Sequence, residues 1–463
     1  MTGISRRTTV AMTDEVWASL RGSLDEAKET AWTMRGSLVE NEVGESTIFI
    51  KSAKSINDEA YDVREPLRLS IKTSGWVPEL SATMESNEIL VFAHSHPMSS
   101  SVHSEHDIEV DSQIYQTALN RGDNPRYASI VIGGSRDTAQ FCGRVVNRAG
   151  EWRKINRLRV AGSSLVIIND AREEMNNTSE VFDRQVRAFG EEGQRALSQV
   201  HIGVVGCGGT GSSVVEQLIR LGVGRLTVID SDYVEASNVT RLYGTGIANI
   251  GSAKVEVMEN LASTIGLGTQ VKAIEGRITE KHAAQALSQC DVVFGCTDDN
   301  AGRIILARIP QAHNLLLIDC GVVIDSREGR INEIIGRISV VGPRMPCLVC
   351  MREVDQIRAD AELLSPDEYK RLAHEGYVPN LETRDPSVLA FTTATASMAI
   401  NEMLGRLFGY VDAKQNRILI RYADRSVSRQ YRDFVGSHRC QNDSFLGAGT
   451  KEPYLQWGWP DAS

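Results

Sequence analysis

The chain has 463 residues and a formal net charge of −10, and its length predicts two or three domains. Its composition is ordinary for a globular protein, and no apolar run approaches the roughly 20 residues of a membrane-spanning helix. The negative charge argues against a nucleic-acid-binding surface. The first 13 residues lack the apolar core of a secretory signal, and the eight cysteines lie mostly in apolar runs, as reduced core thiols do. We therefore expect a cytoplasmic protein without membrane or nucleic-acid partners.

Two kinds of pattern follow each other along the chain. From about Trp17 to Trp152, strand-like runs alternate with helical segments, which predicts an α+β domain. A polar stretch, 169–178, predicts a linker. Beyond it, a strand at 200–205, a helix at 212–221 and a strand at 225–229 indicate α/β architecture with a mostly parallel sheet. The predicted division is an α+β domain at 11–160, a linker at 161–180, a Rossmann-like α/β domain at 181–436 and a tail at 437–463.

A glycine-rich turn follows the first strand of the second domain. Its glycines allow backbone to approach a phosphate at a helix N-terminus; they are Gly206, Gly208, Gly209 and Gly211. Asp230 ends the next strand, where an acidic side chain binds ribose hydroxyls. These features alone fit an NAD-dependent dehydrogenase or a nucleotide-binding fold without catalysis equally well.

Polar residues further along favour a triphosphate over a nicotinamide. Asn238, Arg241 and Lys254 supply an amide and two cations shortly after Asp230. Asp298 follows a strand-like run and so is expected at the sheet edge, where Mg²⁺ can bridge phosphate oxygens. The chain has no G-x-x-x-x-G-K-[ST] loop, which excludes a P-loop enzyme.

Residues 182 to about 435 resemble the ThiF/MoeB-type family, the adenylation domains of ubiquitin-like protein activating enzymes. The matching motifs are Arg184-Gln185, Phe189-Gly190, Gly193-Gln194, the glycine turn, Asp230-Ser-Asp232, Ser237 to Arg241, Lys254 and Cys296-Thr-Asp298. The resemblance implies that Gly209 and Asp230 hold the nucleoside of ATP. It also implies that Asn238, Arg241 and Lys254 hold the phosphates and Asp298 the Mg²⁺. Finally, it implies a homodimer in which Arg184 reaches the neighbouring subunit's site.

The chemistry of adenylation agrees with this residue set. A C-terminal carboxylate is already an anionic nucleophile at pH 7, so its attack on the α-phosphate needs alignment and charge neutralisation rather than a general base. In relatives that form a thioester, a cysteine often follows the first C-x-x-C, but residues 351–439 contain none. Either Cys207 or Cys320 forms the thioester, or the enzyme stops at the adenylate, which we favour because apolar strand-end thiols are commonly inert.

Cys347 and Cys350 have the C-x-x-C spacing of a zinc half-site. Family members usually complete this site with a second C-x-x-C near the C-terminus. Here the corresponding region offers only His438 and Cys440. The alternatives are a Cys3His structural zinc site and a vestigial site closed by packing.

The first domain carries His94-Ser-His96-Pro97 followed by Ser104-Glu-His-Asp107. Two histidines one residue apart at a strand end project to the same side, and a carboxylate from the next helix can complete three zinc ligands, leaving a fourth position for water. The pattern is similar to the JAB/JAMM (MPN) family of zinc isopeptidases. That resemblance implies Glu29 as the general base, with Glu40 in reserve, and Ser104 as a group that stabilises the oxyanion. Nearby His103 and His106 are predicted not to be ligands.

Both resemblances lead to one ubiquitin-like partner with a C-terminal glycine, as in bacterial ubiquitin-like modification systems and bacterial defence. The predicted function is a bifunctional enzyme that cleaves at this C-terminus and activates the resulting carboxylate with ATP, with a conjugating enzyme as a further partner. One alternative is a sulfur-carrier-protein adenylyltransferase with an attached processing protease, for cofactor or cysteine biosynthesis. Another is a non-catalytic dinucleotide-binding scaffold.

Overall fold

A computed structural model describes residues 7–41, 44–66, 68–97, 99–122, 125–147, 149–169, 180–379, 386–434 and 445–449. The chain divides into two units, the first mainly Met1–Glu174 and the second mainly Met175–Gln311 and Leu315–Gln441. Within the described ranges, no helix combines the length and the apolar character needed to cross a bilayer.

The first unit is a mixed sheet with helices on its faces. Its elements are β1 (Thr8–Thr13), α1 (Asp14–Gly22), β2 (Ala31–Glu40), β3 (Ser46–Ser55), β4 (Tyr61–Glu65), β5 (Arg68–Ile71), α2 (Val77–Glu85), β6 (Ile89–Pro97), α3 (Glu105–Leu119), β7 (Tyr127–Gly134), β8 (Gln140–Val146), β9 (Trp152–Ile155), β10 (Arg157–Ala161) and β11 (Leu165–Asn169). The strand order is β11-β10-β1-β3-β2-β6-β7-β8-β9, with β4 and β5 forming a separate hairpin. The strand-like runs predicted between Trp17 and Trp152 include the segments that form β3, β6 and β7.

The alternation of side chains along β6 decides which residues reach each face. Val91 belongs to a core cluster with Trp17 of α1, whereas Phe92 belongs to the opposite cluster, which includes residues of α2 and α3. Because the side-chain period of a strand is two, His94 and His96 follow Phe92 onto the face that α3 covers. The strand thus aims both histidines at the helix that carries Asp107.

The second unit is also a mixed sheet. Its elements are α4 (Asp183–Gln199), β12 (His201–Val205), α5 (Gly209–Arg220), β13 (Arg225–Asp230), α6 (Lys254–Ile265), β14 (Gln270–Glu275), α7 (Lys281–Ala286), β15 (Val292–Gly295), α8 (Asn300–His313), β16 (Leu316–Arg327), β17 (Arg330–Val341), α9 (Gln356–Glu362), α10 (Pro366–His374), α11 (Leu389–Phe408), β18 (Arg417–Arg421) and β19 (Ser426–Gln430). The strand order is β14-β13-β12-β15-β16-β17-β18-β19.

The two halves of this sheet differ. Strands β14, β13, β12, β15 and β16 pair in parallel, and the strand order reverses between β12 and β15, which makes their carboxyl ends a topological switch point. From β16 to β19 the pairing is antiparallel, so the expected mostly parallel sheet is in fact mixed.

One predicted boundary needs correction. Residues 161–180 were assigned to a linker, but β11 occupies Leu165–Asn169 and pairs with β10. The strand begins with a continuous apolar run of only four residues, Leu165-Val-Ile-Ile, and periodicity does not identify so short a run as a strand. Residues 170–179 of the predicted linker lie outside the described part of the chain, as do residues 437–444 and 450–463 of the predicted tail.

The glycine turn yields a first prediction. A Cβ at Gly211 would lie 1.7 Å from the carbonyl oxygen of Gly206, whereas a Cβ at Gly208 would meet no atom within 4 Å. We expect Gly211→Ala to reduce the free energy of unfolding of the second unit by about 1–3 kcal/mol through overpacking. Gly208→Ala is the matched control. In a denaturant titration it should unfold at the same denaturant concentration as the wild type. Equal stability of the two variants would contradict this packing.

Candidate functional sites

The glycine turn lies at the switch point, between the ends of β13 and β15. The N–H of Gly206 donates to the carbonyl of Ile229 over 2.8 Å, and the N–H of Cys296 donates to the carbonyl of Val205 over 2.8 Å. Gly206 has φ = +88°, a conformation that favours glycine. A Cβ there would also lie 2.8 Å from the Cys296 carbonyl oxygen. The turn is therefore tied to both neighbouring strand ends.

Asp230 organises the backbone beside this turn. Its Oδ2 accepts the N–H of Cys207 over 2.6 Å, and its Oδ1 accepts the N–H of Asp232 over 2.8 Å. The Nζ of Lys254 lies 2.6 Å from Asp232 Oδ2 and 4.0 Å from Asp230 Oδ1. Burial raises the pKa of Asp230, an effect that the charge of Lys254 opposes. Asp230 and Lys254 thus meet at the turn and form one charged cluster with Asp232.

Asn238 and Arg241 lie on a loop that approaches the same turn. Asn238 is buried, and its Oδ1 accepts the N–H of Glu235 over 3.2 Å. The carbonyl oxygen of Arg241 would lie 3.4 Å from a Cβ at Gly209, while its guanidinium donates to the Ser237 carbonyl over 3.5 Å. The structure therefore brings this loop against the glycine turn.

Asp298 is exposed two residues after Cys296, whose backbone adjoins Gly206. The neighbouring Asp299 has a structural role, since its Oδ2 accepts the N–H of Gly302 over 2.7 Å at the start of α8. Arg184 is exposed in the first turn of α4, and its role in a neighbouring subunit stays a prediction. The segments that carry Asp230, Arg241 and Asp298 accordingly reach one end of the sheet.

Sequence reasoning missed one side of this site. The Ser387 Oγ would lie 3.3 Å, and the Thr392 Cγ2 3.4 Å, from a Cβ at Gly209. Both residues flank the start of α11, a helix whose N-cap residue, Val388, makes no side-chain capping bond. No local motif signals this contact, because it joins segments far apart in the sequence.

The thiols around the turn are poor nucleophiles. Burial, and then the charge of Asp230, raise the pKa of Cys207 well above its usual value. The Sγ of Cys320 lies 3.7 Å from the Sγ of Cys296, and this contact raises the pKa of Cys296. Because the thiolate is the reactive form, Cys207 is a poor thioester candidate, and Cys320 is buried.

Cys347 and Cys350 are both buried, and their sulfur atoms lie 3.8 Å apart. Two thiolates at this separation can share one zinc ion. The other two predicted ligands, His438 and Cys440, lie outside the described residues. A structural zinc ion at this position therefore stays a prediction.

The first unit gathers His94, His96 and Asp107 into one buried cluster, with donor atoms all within 4.8 Å of one another. The Nε2 of His94 lies 3.1 Å from the Nε2 of His96 and 3.2 Å from Asp107 Oδ1, and His96 Nε2 lies 3.6 Å from Asp107 Oδ2. Two imidazole nitrogens and a carboxylate oxygen facing one point fit a zinc ion. The structure thus brings together the three predicted ligands.

The capping of α3 orients Asp107. Its Oδ2 accepts the N–H of Ser104 over 2.7 Å, and its own N–H donates to Ser104 Oγ over 3.1 Å. Burial raises the pKa of Asp107, but its hydrogen bonds to His94 and Ser104 outweigh burial and hold the pKa well below the usual range. Asp107 is therefore anionic at neutral pH, as a metal ligand must be.

Glu29 joins this cluster from the start of β2. Its Oε1 lies 3.7 Å from His96 Nε2. Burial raises the pKa of Glu29 to about 7; the charge of His94 opposes this shift and that of Asp107 adds to it. A carboxyl group that titrates near neutrality suits a general base. The reserve choice, Glu40, is wrong, because it lies exposed at the opposite end of β2, nine residues and about 30 Å from Ala31.

The two other histidines near the motif have different partners. His103 Nε2 lies 2.9 Å from Ser129 Oγ, and His106 Nε2 lies 3.0 Å from the Leu69 carbonyl oxygen. Neither belongs to the metal-ligand group found among the described residues. Their exclusion as ligands is consistent with this geometry.

The second unit is thus a nucleotide-binding α/β unit with its polar groups at the switch point. Residues 182–441 match the ThiF family model, which is more than half of the chain. The chain belongs to the ThiF family.

Three relatives show what the chain is similar to. The SAMP-activating enzyme E1 of Haloferax volcanii is 27% identical over 162 residues, covering 35% of this chain and 57% of the relative. The sulfur carrier protein adenylyltransferase of Thermus thermophilus is 33% identical over 139 residues, covering 28% and 51%. The tRNA threonylcarbamoyladenosine dehydratase of Escherichia coli is 35% identical over 124 residues, covering 27% and 44%. The chain spans about half the length of these relatives.

The metal cluster yields a second prediction. His96→Gln should lower the bound zinc by one equivalent per chain, because it removes one of three converging ligands. His106→Gln is the matched control and should keep the zinc content of the wild type. Metal analysis after dialysis against a weak chelator measures both. Equal zinc content in the two variants would contradict the ligand assignment.

Proposed function

We propose that the chain is a bifunctional enzyme that adenylates the C-terminal glycine carboxylate of a ubiquitin-like protein and also cleaves at that C-terminus. The observation that carries the adenylation half is the convergence of Asp230, Lys254 and the Arg241 loop on the glycine turn. Family membership supports the same activity. The cleavage half is carried by the His94, His96 and Asp107 cluster with Glu29 beside it.

In the adenylation half, the cations bind the phosphates of ATP. Arg241 and Lys254 lower the charge repulsion between the incoming carboxylate and the α-phosphate. The carboxylate oxygen bonds to the α-phosphorus and pyrophosphate leaves, so that no proton has to be removed. Asp298 would hold Mg²⁺, which neutralises charge on the phosphate oxygens.

In the cleavage half, a zinc ion held by the three ligands would lower the pKa of a water molecule to about 7. Glu29 would accept a proton from the attacking water and pass it to the leaving amine. The Ser104 hydroxyl accepts the Asp107 N–H, so its own hydrogen remains able to stabilise an oxyanion.

The names of the three relatives refer to different substrates, so membership of the family does not by itself identify the substrate. One activates SAMP, one adenylates a sulfur carrier protein, and one acts on a tRNA nucleoside. The metal cluster in the same chain favours a protein C-terminus, because cleavage there exposes the carboxylate that adenylation needs. Linking the two units in one chain raises the effective concentration of the shared substrate.

The second candidate function is the adenylation of a sulfur carrier, which the Thermus thermophilus relative favours. The poorly reactive Cys207 suits either proposal, because an external amine or sulfur nucleophile then takes the acyl group. Transfer to a protein amine through a conjugating enzyme supports the first proposal, whereas transfer to sulfide or a persulfide supports the second. Homodimerisation and the cytoplasmic location stay predictions.

A pyrophosphate-exchange assay tests adenylation. Asp298→Asn should reduce ATP–pyrophosphate exchange, in the presence of a Gly-Gly-ending partner, about 100-fold or more, because it weakens the proposed site for the Mg²⁺ that neutralises phosphate charge. Asp325→Asn, an exposed change on β16, is the control and should exchange at the wild-type rate. Tight NAD binding without any exchange in the wild type would instead support a scaffold.

The two activities should be separable by mutation. Glu29→Gln should slow cleavage of a C-terminally extended partner about 100-fold to 10,000-fold through loss of the base, while pyrophosphate exchange stays unchanged. Asp298→Asn should have the opposite pattern. Mass spectrometry of the partner's C-terminus measures the cleavage. If Glu29→Gln cleaved as fast as the wild type, the assigned base would be wrong.

A further inference from the structure

The segment Glu29–Ala31 is restrained by hydrogen bonds, because its main-chain polar groups are all paired. The three residues are buried, and buried backbone groups without partners are costly. Their partners come from two sides, and neither side was identified from the sequence. This arrangement bears on catalysis, because Glu29 is the proposed base.

One side is the strand that carries the histidines. The Thr30 N–H donates to Ser95 Oγ over 3.0 Å, and the Ser95 N–H donates to the Thr30 carbonyl over 2.9 Å. Ser95 stands between His94 and His96. The base-carrying segment is therefore bonded to the ligand strand itself.

The second set of hydrogen-bond partners comes from the β4–β5 hairpin and from the residues that precede it in the chain. The Glu29 N–H donates to the Glu65 carbonyl over 3.2 Å, and Arg64 Nε donates to the Glu29 carbonyl over 2.9 Å. The Ala31 N–H donates to the Tyr61 hydroxyl over 3.0 Å, and the Ala31 carbonyl accepts the Ile56 N–H over 2.9 Å.

Arg64 is itself held in one orientation. Its guanidinium donates to Glu26 Oε2 over 2.6 Å, to Asp58 Oδ1 over 2.9 Å and to Thr30 Oγ1 over 2.6 Å, and it lies 5.2 Å from the centre of the Tyr61 ring. Only a planar fork of donors can make these bonds together with the one to Glu29, so lysine is not equivalent.

We propose that Arg64 is a positioning residue that fixes Glu29 beside the metal ligands, and that the β4–β5 hairpin is the device that holds it. This inference rests on the proposed protease function. Arg64 would contact neither the metal nor the substrate, and it would act through the backbone of Glu29.

Steady-state kinetics test the proposal. The zinc-loaded full chain is assayed for cleavage of a fluorogenic Gly-Gly-anilide peptide. Arg64→Ala should lower kcat about 10-fold to 100-fold, because a displaced base is less effective, while KM and zinc content stay unchanged. Arg64→Lys should recover little of this loss. Arg68→Ala, an exposed change on the same hairpin, is the matched control with wild-type kcat. Tyr61→Phe, which removes the hydroxyl that accepts the Ala31 N–H, should also lower kcat.

Amide hydrogen exchange separates this inference from the proposed protease function. In Arg64→Ala, exchange at residues 29–31 should accelerate at least 10-fold, with or without zinc, while exchange in β7 stays unchanged. Unchanged exchange at 29–31, or a wild-type kcat in Arg64→Ala, would overturn the positioning role. A zinc-loaded wild-type protein that cleaves nothing would contradict the protease, whereas the exchange measurement would still decide whether Arg64 fixes the segment.

Discussion

The pairing of strands at the sheet ends is the constraint on which both candidate sites depend. The carboxyl ends of parallel neighbours meet at one edge of a sheet, and the loops that follow them gather there. In the second unit this edge brings together the ends of β12, β13 and β15. In the first unit β6 pairs in parallel with β7, and His96 lies near its carboxyl end. The nucleotide site is thus assembled from successive strand ends, whereas the metal site combines the carboxyl end of β6 with the start of α3 and the start of the antiparallel strand β2.

Buried carboxylates then fix the local geometry at these edges. Asp230 and Asp107 each accept backbone N–H bonds as well as facing cationic or imidazole groups. A buried charge is costly unless it is paired and hydrogen-bonded, so each carboxylate favours one arrangement of its neighbours. At the glycine turn Asp230 links the Cys207 N–H to Lys254, and at the metal cluster the arrangement aims Asp107 at the histidines.

The sequence predicted the features that depend on local spacing. The glycine turn, the paired histidines on one strand face and the acidic residue at the start of α3 all follow from strand and helix periodicity. The antiparallel half of the second sheet was not predicted, because strand direction depends on distant pairing. The contacts of Ser387 with the glycine turn and of Arg64 with Glu29 join segments without any shared motif. Glu40 was a plausible base only until the direction of β2 was known.

In the proposed adenylation site, Arg241, Lys254 and Asp298 surround one Mg·ATP beside the glycine turn. A crystal structure with Mg²⁺ and a non-hydrolysable ATP analogue tests it most directly. We predict a triphosphate along residues 206–211, with both cations on its oxygens and the metal bound to Asp298. An analogue bound elsewhere, or one with these three side chains directed away from it, would contradict the adenylating role.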